Sequence, residues 1–207
     1  MPGTPTPLRY LALGDSYTIG EAVPAAARWP AVLVARLRRA GVVIDDPRIV
    51  AVTGWTTDEL AHGMTEAALA PPYDLVTLQI GVNNQYRGRT TADYRLEFAE
   101  LLARAITLAG NRPARVLVVS IPDWGVTRFA REQGRDPAVI TAALNAFNAS
   151  AQQQAAQAGA HFADITTISR HAADELASDG LHPSAAQYAR WMTAILPVAR
   201  EAVDTPP

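Results

Sequence analysis

Two short stretches near opposite ends of the chain carry the residue types of nucleophilic acyl transfer. Gly14-Asp15-Ser16-Tyr17-Thr18 follows the apolar run Arg9 to Leu13, and Asp179-Gly180-Leu181-His182-Pro183-Ser184 lies close to the C-terminus. A serine just after a buried strand, with a glycine ahead of it to permit a tight turn, exposes its hydroxyl at the carboxyl edge of a sheet. Such a nucleophile needs a general base, and an imidazole base needs a partner that sets its tautomer and stabilises the imidazolium. Asp179 can serve His182 in this way across one tight turn, while Pro183 biases His182 toward an extended backbone. Taken singly, each stretch has a plainer reading: an Asp-Ser pair after a strand is a common helix cap, and a lone loop histidine is usually a surface residue. The chain order Ser, Asp, His is compatible with a triad.

Acyl transfer also needs donors for a developing oxyanion. The second apolar run ends in Thr53-Gly54-Trp55, where Gly54 can present a backbone N–H with no side chain in the way. The third ends in Gly81-Val82-Asn83-Asn84, where the Asn83 amide can supply another donor. As isolated features these are turn residues; their weight comes from falling one per strand, in register with Ser16. Around them, Tyr86 and the segment Pro122 to Phe129, with Trp124 and Phe129, are candidates for the substrate wall, and Arg87 is read as a rim residue. His62, His161 and His171 have no spacing that suggests a metal site, and no carboxylate pair is arranged for glycosidase chemistry. No metal and no cofactor is expected.

The elements that must position these residues alternate along the chain. Short apolar runs at Arg9 to Leu13, Val43 to Val52, Leu75 to Ile80, Arg115 to Ile121 and Ala160 to Ala163 predict five strands separated by helical patterns. That alternation indicates βαβ units around a buried parallel sheet. Asp136-Pro137 is an N-cap and first-turn pair opening a helix whose apolar face is Ile140, Leu144, Phe147 and Ala151, and Gly159 suits its left-handed C-terminal residue. Tyr94, Phe98, Leu101, Ala105 and Ala109 form a second stripe ending at Gly110, and Thr56 with Glu59 reads as a capping box. A last helix from about Ser184 should bury Tyr188, Trp191, Met192 and Ile195, with Pro197 kinking or shortening it. In open α/β sheets ligands bind beyond the carboxyl ends of the strands, where strand order reverses.

Composition bounds the chemistry further. The chain has 207 residues, with 18 basic against 20 acidic side chains and a net charge of −2. One domain, residues 1–207, is expected, with short flexible tails at about 1–7 and 203–207. No cysteine is present, which excludes disulfides, thiolate metal sites and a cysteine nucleophile. Every basic residue is arginine, which removes Schiff-base and P-loop lysine chemistry. Near-zero net charge argues against a nucleic-acid partner. The uncharged stretch Pro137 to Ala163 is broken by Asn145, Asn148 and Gln152 to Gln154, so integral membrane association is not expected. The first residues lack the basic-then-apolar pattern of a secretory signal, which makes the cytoplasm the expected location.

Together, Gly14-Asp15-Ser16-Tyr17, Thr53-Gly54-Trp55-Thr56-Thr57, Gly81-Val82-Asn83-Asn84 and Asp179-Gly180-Leu181-His182-Pro183 resemble, in order and spacing, the four blocks of the SGNH hydrolases, or GDSL-type esterases and lipases. The resemblance covers essentially the whole chain. It implies a flavodoxin-like three-layer α/β/α sandwich with a five-stranded parallel sheet of order 2-1-3-4-5, placing Ser16, Gly54 and Asn83 side by side. It implies that Ser16 is the nucleophile, His182 the base and Asp179 its orienter. The N–H groups of Ser16 and Gly54 and the Asn83 amide would then form the oxyanion hole. Tyr17 stands where the family's name has Leu, and Asn84 where many members have Asp. An α/β-hydrolase is a poorer match, since its elbow requires Gly at the Thr18 position. The expected activity is hydrolysis of small-molecule carboxylic esters, with short acyl chains favoured because no large apolar lid insertion is visible. An acyltransferase of the same fold and a lysophospholipase or lipase acting on longer chains are the alternatives. A non-catalytic binding module would be expected to lack a catalytic member, and none is missing.

Overall fold

The structure is a computed structural model that describes residues 6–204. Strand β1 (Tyr10–Gly14) leads into the short helix α1 (Ser16–Ile19), followed by α2 (Trp29–Arg39), β2 (Arg48–Ala51), α3 (Thr57–Glu66) and β3 (Leu75–Gln79). Then come α4 (Val82–Tyr86), α5 (Thr91–Leu108), β4 (Val116–Val119), α6 (Arg128–Glu132), α7 (Pro137–Ala158), β5 (His161–Ala163), α8 (Thr166–His171) and α9 (Ala185–Asp204). The strands form one parallel sheet of order β2-β1-β3-β4-β5. Every residue of β1, β3 and β4 is buried, as a parallel sheet covered on both faces requires.

Strand order reverses once, between β1 and β3. Right-handed crossovers then put α2 on one face and α3, α5 and α7 on the other. α9 returns to pack on α2 and across β3, β4 and β5, while α3 lies against α5 and α5 against α7. The α2–α9 layer is built on Trp29, Leu33 and Leu37 facing the sheet side shared with Trp191, Ile195 and Ala199, all fully buried. Burying side chains of this size contributes about 1.5–3 kcal/mol each.

Local signals account for most boundaries. Asp136 caps α7 by accepting from the Ala138 N–H at 2.8 Å, Pro137 occupies the first turn, and Gly159 closes the helix at φ 74°. The Thr56–Glu59 capping box forms, with Glu59 Oε2 accepting from the Thr56 N–H at 2.8 Å. Two expectations need correction. The run Val43 to Val52 is not one strand: Asp45-Asp46-Pro47 interrupts it, β2 is only Arg48–Ala51, and Ile44 makes an isolated parallel bridge to Leu8. Proline lacks the donor a strand interior needs. Pro197 does not shorten the last helix, which runs through it to Asp204. Packing of an apolar face that includes Ile195, Ala199 and Ala202 outweighs the lost hydrogen bond. Residues 203 and 204 thus belong to a helix and Val203 is buried. The rest of the expected C-terminal tail, and residues 1–5, lie outside the described residues.

Register brings the carboxyl ends of the first three strands level. Gly14 is paired with Ala51 on one side and with Gln79 on the other. Gln79 then knits this edge together, accepting from the Trp29 indole at 3.0 Å and donating to the Ser120 carbonyl at 3.1 Å. Gly14 is required by crowding: a Cβ there would lie 2.1 Å from Thr18 Oγ1 and 2.5 Å from the Gln79 carbonyl oxygen.

Candidate active site

Beyond that level edge the chain leaves β1 in an abrupt turn. Asp15 is the N-cap of α1, its carboxylate accepting from the Tyr17 N–H at 3.0 Å. The plain capping reading of the Asp-Ser pair is therefore correct for Asp15, and it is what frees Ser16 to be the first residue of the helix with its hydroxyl turned toward His182. Oγ of Ser16 is 2.9 Å from His182 Nε2, and His182 Nδ1 is 2.7 Å from Asp179 Oδ2.

The loop between α8 and α9 holds the imidazole through Asp179. Its Oδ1 accepts from the N–H groups of Leu181 and His182 at 2.9 and 3.0 Å, an Asx-type turn, while Oδ2 takes the ring. The loop is tied down further by Phe129 N–H on the Gly180 carbonyl at 3.0 Å and by Ala177 N–H on the His182 carbonyl at 2.7 Å. Burial opposes a charge on Asp179, but the two N–H donors and the ring outweigh it and hold its carboxyl below the ordinary value. Asp179 thus carries a negative charge across the neutral range. Ser16 and His182 are buried, at 5% and 8% exposure, so the Ser–His contact is largely shielded from water. Tyr17, the residue that departs from Leu, places its ring 5.4 Å from the imidazole and 6.5 Å from Trp191.

The loops after β2 and β3 meet beside Ser16 and are laced together. Asn83 Nδ2 donates to the Trp55 carbonyl at 2.9 Å, which orients the amide and leaves its second N–H over. Asn84 accepts from the Thr57 N–H at 3.1 Å and donates to Thr57 Oγ1 at 2.6 Å. Arg87 donates to the Gly54 carbonyl at 2.7 Å and pairs with Glu59 at 3.3 Å. Gly54 sits at φ 87°, a left-handed conformation that disfavours a side chain. Arg87, read from sequence as a rim residue, is instead a clamp on the loop that carries Gly54. A pair of residues 33 positions apart on two loops leaves no periodic signal by which to anticipate it.

A cleft of about 210 Å³ opens over Ser16 and His182 and brings together Gly54, Asn83 and the three expected wall residues Tyr86, Trp124 and Phe129. Trp124 is buried, its indole N–H donating to Gln85 Oε1 at 2.7 Å, with the rings of Tyr86 and Phe129 packed edge-on at 5.4 and 6.3 Å. Nothing in the sequence pairs Gln85, in α4, with Trp124, although a buried indole needs an acceptor and a polar residue on a neighbouring element is where to seek one. His62 pairs with Glu66 on its own helix. Among the described residues no group of three or more His, Cys, Asp or Glu could hold a metal ion, and no helix is long and apolar enough to cross a membrane.

Asp15 lies directly under this site. It is 1% exposed, and burial, only partly opposed by the Tyr17 N–H, pushes its carboxyl up to about 7. An unfolded aspartate titrates near 4. The folded state therefore retains a proton that the unfolded state loses as the pH rises between these values. Stability tied to Asp15 is fully present below about pH 4 and is lost as pH rises through about 7, by about 4 kcal/mol. Asp15→Asn keeps the acceptor for Tyr17 and removes the titration. Urea midpoints should show the variant gaining on the wild type between pH 5 and pH 8; an unchanged difference would remove the assignment.

A carboxylate, an imidazole and a hydroxyl in hydrogen-bonded series, at the switch point of a parallel sheet of order 2-1-3-4-5, is the layout of the flavodoxin-like ester hydrolases. The chain belongs to the GDSL-like lipase/acylhydrolase family, whose model matches residues 12–190, and it is a carboxylic ester hydrolase. Similar solved structures span nearly the whole chain. The lipase/acylhydrolase from Enterococcus faecalis is 20% identical with a TM-score of 0.72, covering 97% of this chain and 98% of its own. TesA is 21% identical with a TM-score of 0.71, covering 94% and 99%. The acetylxylan esterase Axe2 from Geobacillus stearothermophilus is 17% identical with a TM-score of 0.69, covering 96% and 95%. Comparison with curated proteins by sequence finds no match.

Proposed function

We propose that the protein is a serine esterase that hydrolyses carboxylic esters of short acyl chains in two steps. The observation that carries this reading is the unbroken series from Asp179 through His182 to Ser16, with contacts of 2.7 and 2.9 Å, opening into one cleft. Ser16 Oγ attacks the acyl carbonyl as His182 Nε2 takes its proton, while Asp179 keeps the other ring nitrogen protonated and faces the imidazolium. The carbonyl oxygen, now negative, takes up hydrogen bonds from the N–H groups of Ser16 and Gly54 and from the free N–H of the Asn83 amide. Among the described residues neither backbone N–H has an intramolecular acceptor. Collapse expels the alcohol, protonated by His182, and water repeats the sequence on the acyl-enzyme.

Because Asn83 is held by Trp55 rather than by the reacting atoms, its second N–H stays aimed without needing to reorganise. Asn83→Ala should lower kcat by about 10²- to 10³-fold with a much smaller change in KM. The preference for short chains is supported by the small cleft and its fixed aromatic wall. A p-nitrophenyl ester series from acetate to palmitate, run beside acetylated sugars and a lysophospholipid, tests it. Turnover should be greatest at acetate to butyrate. Equal turnover of palmitate would remove the chain-length preference, and a dominant new ester on addition of an alcohol would make the enzyme an acyltransferase.

A further inference from the structure

Trp124 borders two spaces. It lines the open cleft over Ser16 and also a narrow, partly open void of about 10 Å³, and the two share Tyr17, Trp124 and Leu181 in their walls. A space of that size holds at most about one water. Its far side is made of Pro122, Val126, Leu176 and Pro183, while its polar members are engaged elsewhere. Asp123 is bound by Arg170 and Thr141, Thr127 by the Trp124 carbonyl, Ser169 by the Thr166 carbonyl, and Gln187 by the carbonyls of Ala172 and Glu175. The void is therefore walled by apolar groups and by polar side chains that are already engaged, and the indole stands with Tyr17 and Leu181 between it and the cleft.

The indole is not free to swing aside. Its N–H is fixed on Gln85, its backbone lies in a 3₁₀ turn whose cap is Asp123, and Tyr86 and Phe129 pack against its edges. We propose that Trp124 is the residue that sets acyl-chain length: it is a fixed partition that ends the acyl pocket, and a smaller side chain there joins the two spaces into a deeper channel. This rests on the esterase reading above. One methylene gained or lost in an apolar pocket changes discrimination about 10- to 200-fold.

The test compares wild type, Trp124→Leu, Trp124→Phe and Leu176→Ala on p-nitrophenyl acetate, butyrate and octanoate. Trp124→Ala is avoided because it strips a buried side chain. In Trp124→Leu the octanoate-to-acetate ratio of kcat/KM should rise at least about tenfold. Trp124→Phe, which keeps most of the ring, should shift it far less. Leu176 lies in the void wall and in a surface pocket, and not in the cleft wall, so Leu176→Ala alone should leave the ratio unchanged, and in the Trp124→Leu background it should raise the ratio again. An unchanged ratio in a folded, acetate-active Trp124→Leu enzyme overturns the proposal, as does a rise from Leu176→Ala alone. If Trp124→Leu does not fold, Trp124→Met takes its place under the same criterion. Wild-type turnover of octanoate equal to acetate overturns the partition while leaving the esterase standing; hydrolysis of no ester at all removes both.

Discussion

Ser16→Ala should reduce kcat on an activated acetate ester by about 10⁴- to 10⁶-fold, leaving only the acceleration that binding and the oxyanion donors provide. The size of the effect follows from what else is available. There is no cysteine or lysine in the chain, Thr18 is fully buried and turned to Gln79, and the hydroxyl of Thr53 in the cleft wall is turned to Glu21. No neighbouring group can take over as nucleophile. His182→Ala should cost about as much, and the double variant little more, because the two residues perform one step and their losses do not add. Burst kinetics give a second reading: wild type should release a stoichiometric pulse of p-nitrophenol if deacylation is the slower step, and Ser16→Ala none. Full activity in Ser16→Ala would sink the nucleophile assignment outright.

Asp179→Asn should cost about 10⁴-fold in kcat while leaving thermal stability nearly unchanged. The reason lies in the two oxygens of Asp179. The side-chain amide oxygen of an asparagine can still accept from the N–H groups of Leu181 and His182, so the turn keeps its shape. The other position becomes an NH₂ donor facing His182 Nδ1, where the aspartate accepts at 2.7 Å. That nitrogen must then be the unprotonated one, and Nε2 carries the proton toward Ser16 Oγ. The base is present, correctly placed, and in the wrong tautomer. KM should change little. A variant keeping a tenth or more of wild-type kcat would mean that the tautomer is set by something other than Asp179.

How much of this was readable in the chain depends on how local the cause is. β1 and β4 are apolar runs and β3 is one interrupted by Thr77, and the caps at Thr56, Asp136 and Gly159 act within four residues, so each leaves a mark in sequence. Ser16, Gly54 and Asn83 are legible because each follows its strand at short range, and the level register of β1, β2 and β3 carries that regularity into space. What escaped depends on pairs brought together by the fold. Arg87 reaches the Gly54 carbonyl and Gln85 the Trp124 indole across loops whose conformations no periodicity encodes. The break at Asp45-Asp46-Pro47 is marked in the sequence by two acidic residues and a proline, set among apolar residues that by themselves favour one continuous strand. Conversely, Pro197 was overvalued, since a helix packed on both a sheet and a neighbouring helix tolerates the loss of one internal bond.

The separation of 166 positions between Ser16 and His182 has a consequence for how the enzyme comes into being. During synthesis every strand of the sheet leaves the ribosome before the histidine does. A nascent chain can complete its sheet and still own no base. The long-range closure made by α9 is its packing on α2 together with the Tyr188 hydroxyl donating to the Tyr17 carbonyl in α1 at 3.0 Å. Contacts of such sequence separation carry the largest loop-closure cost and form late. With His182 as the proposed base, turnover during refolding is expected to return only once the C-terminal segment has docked.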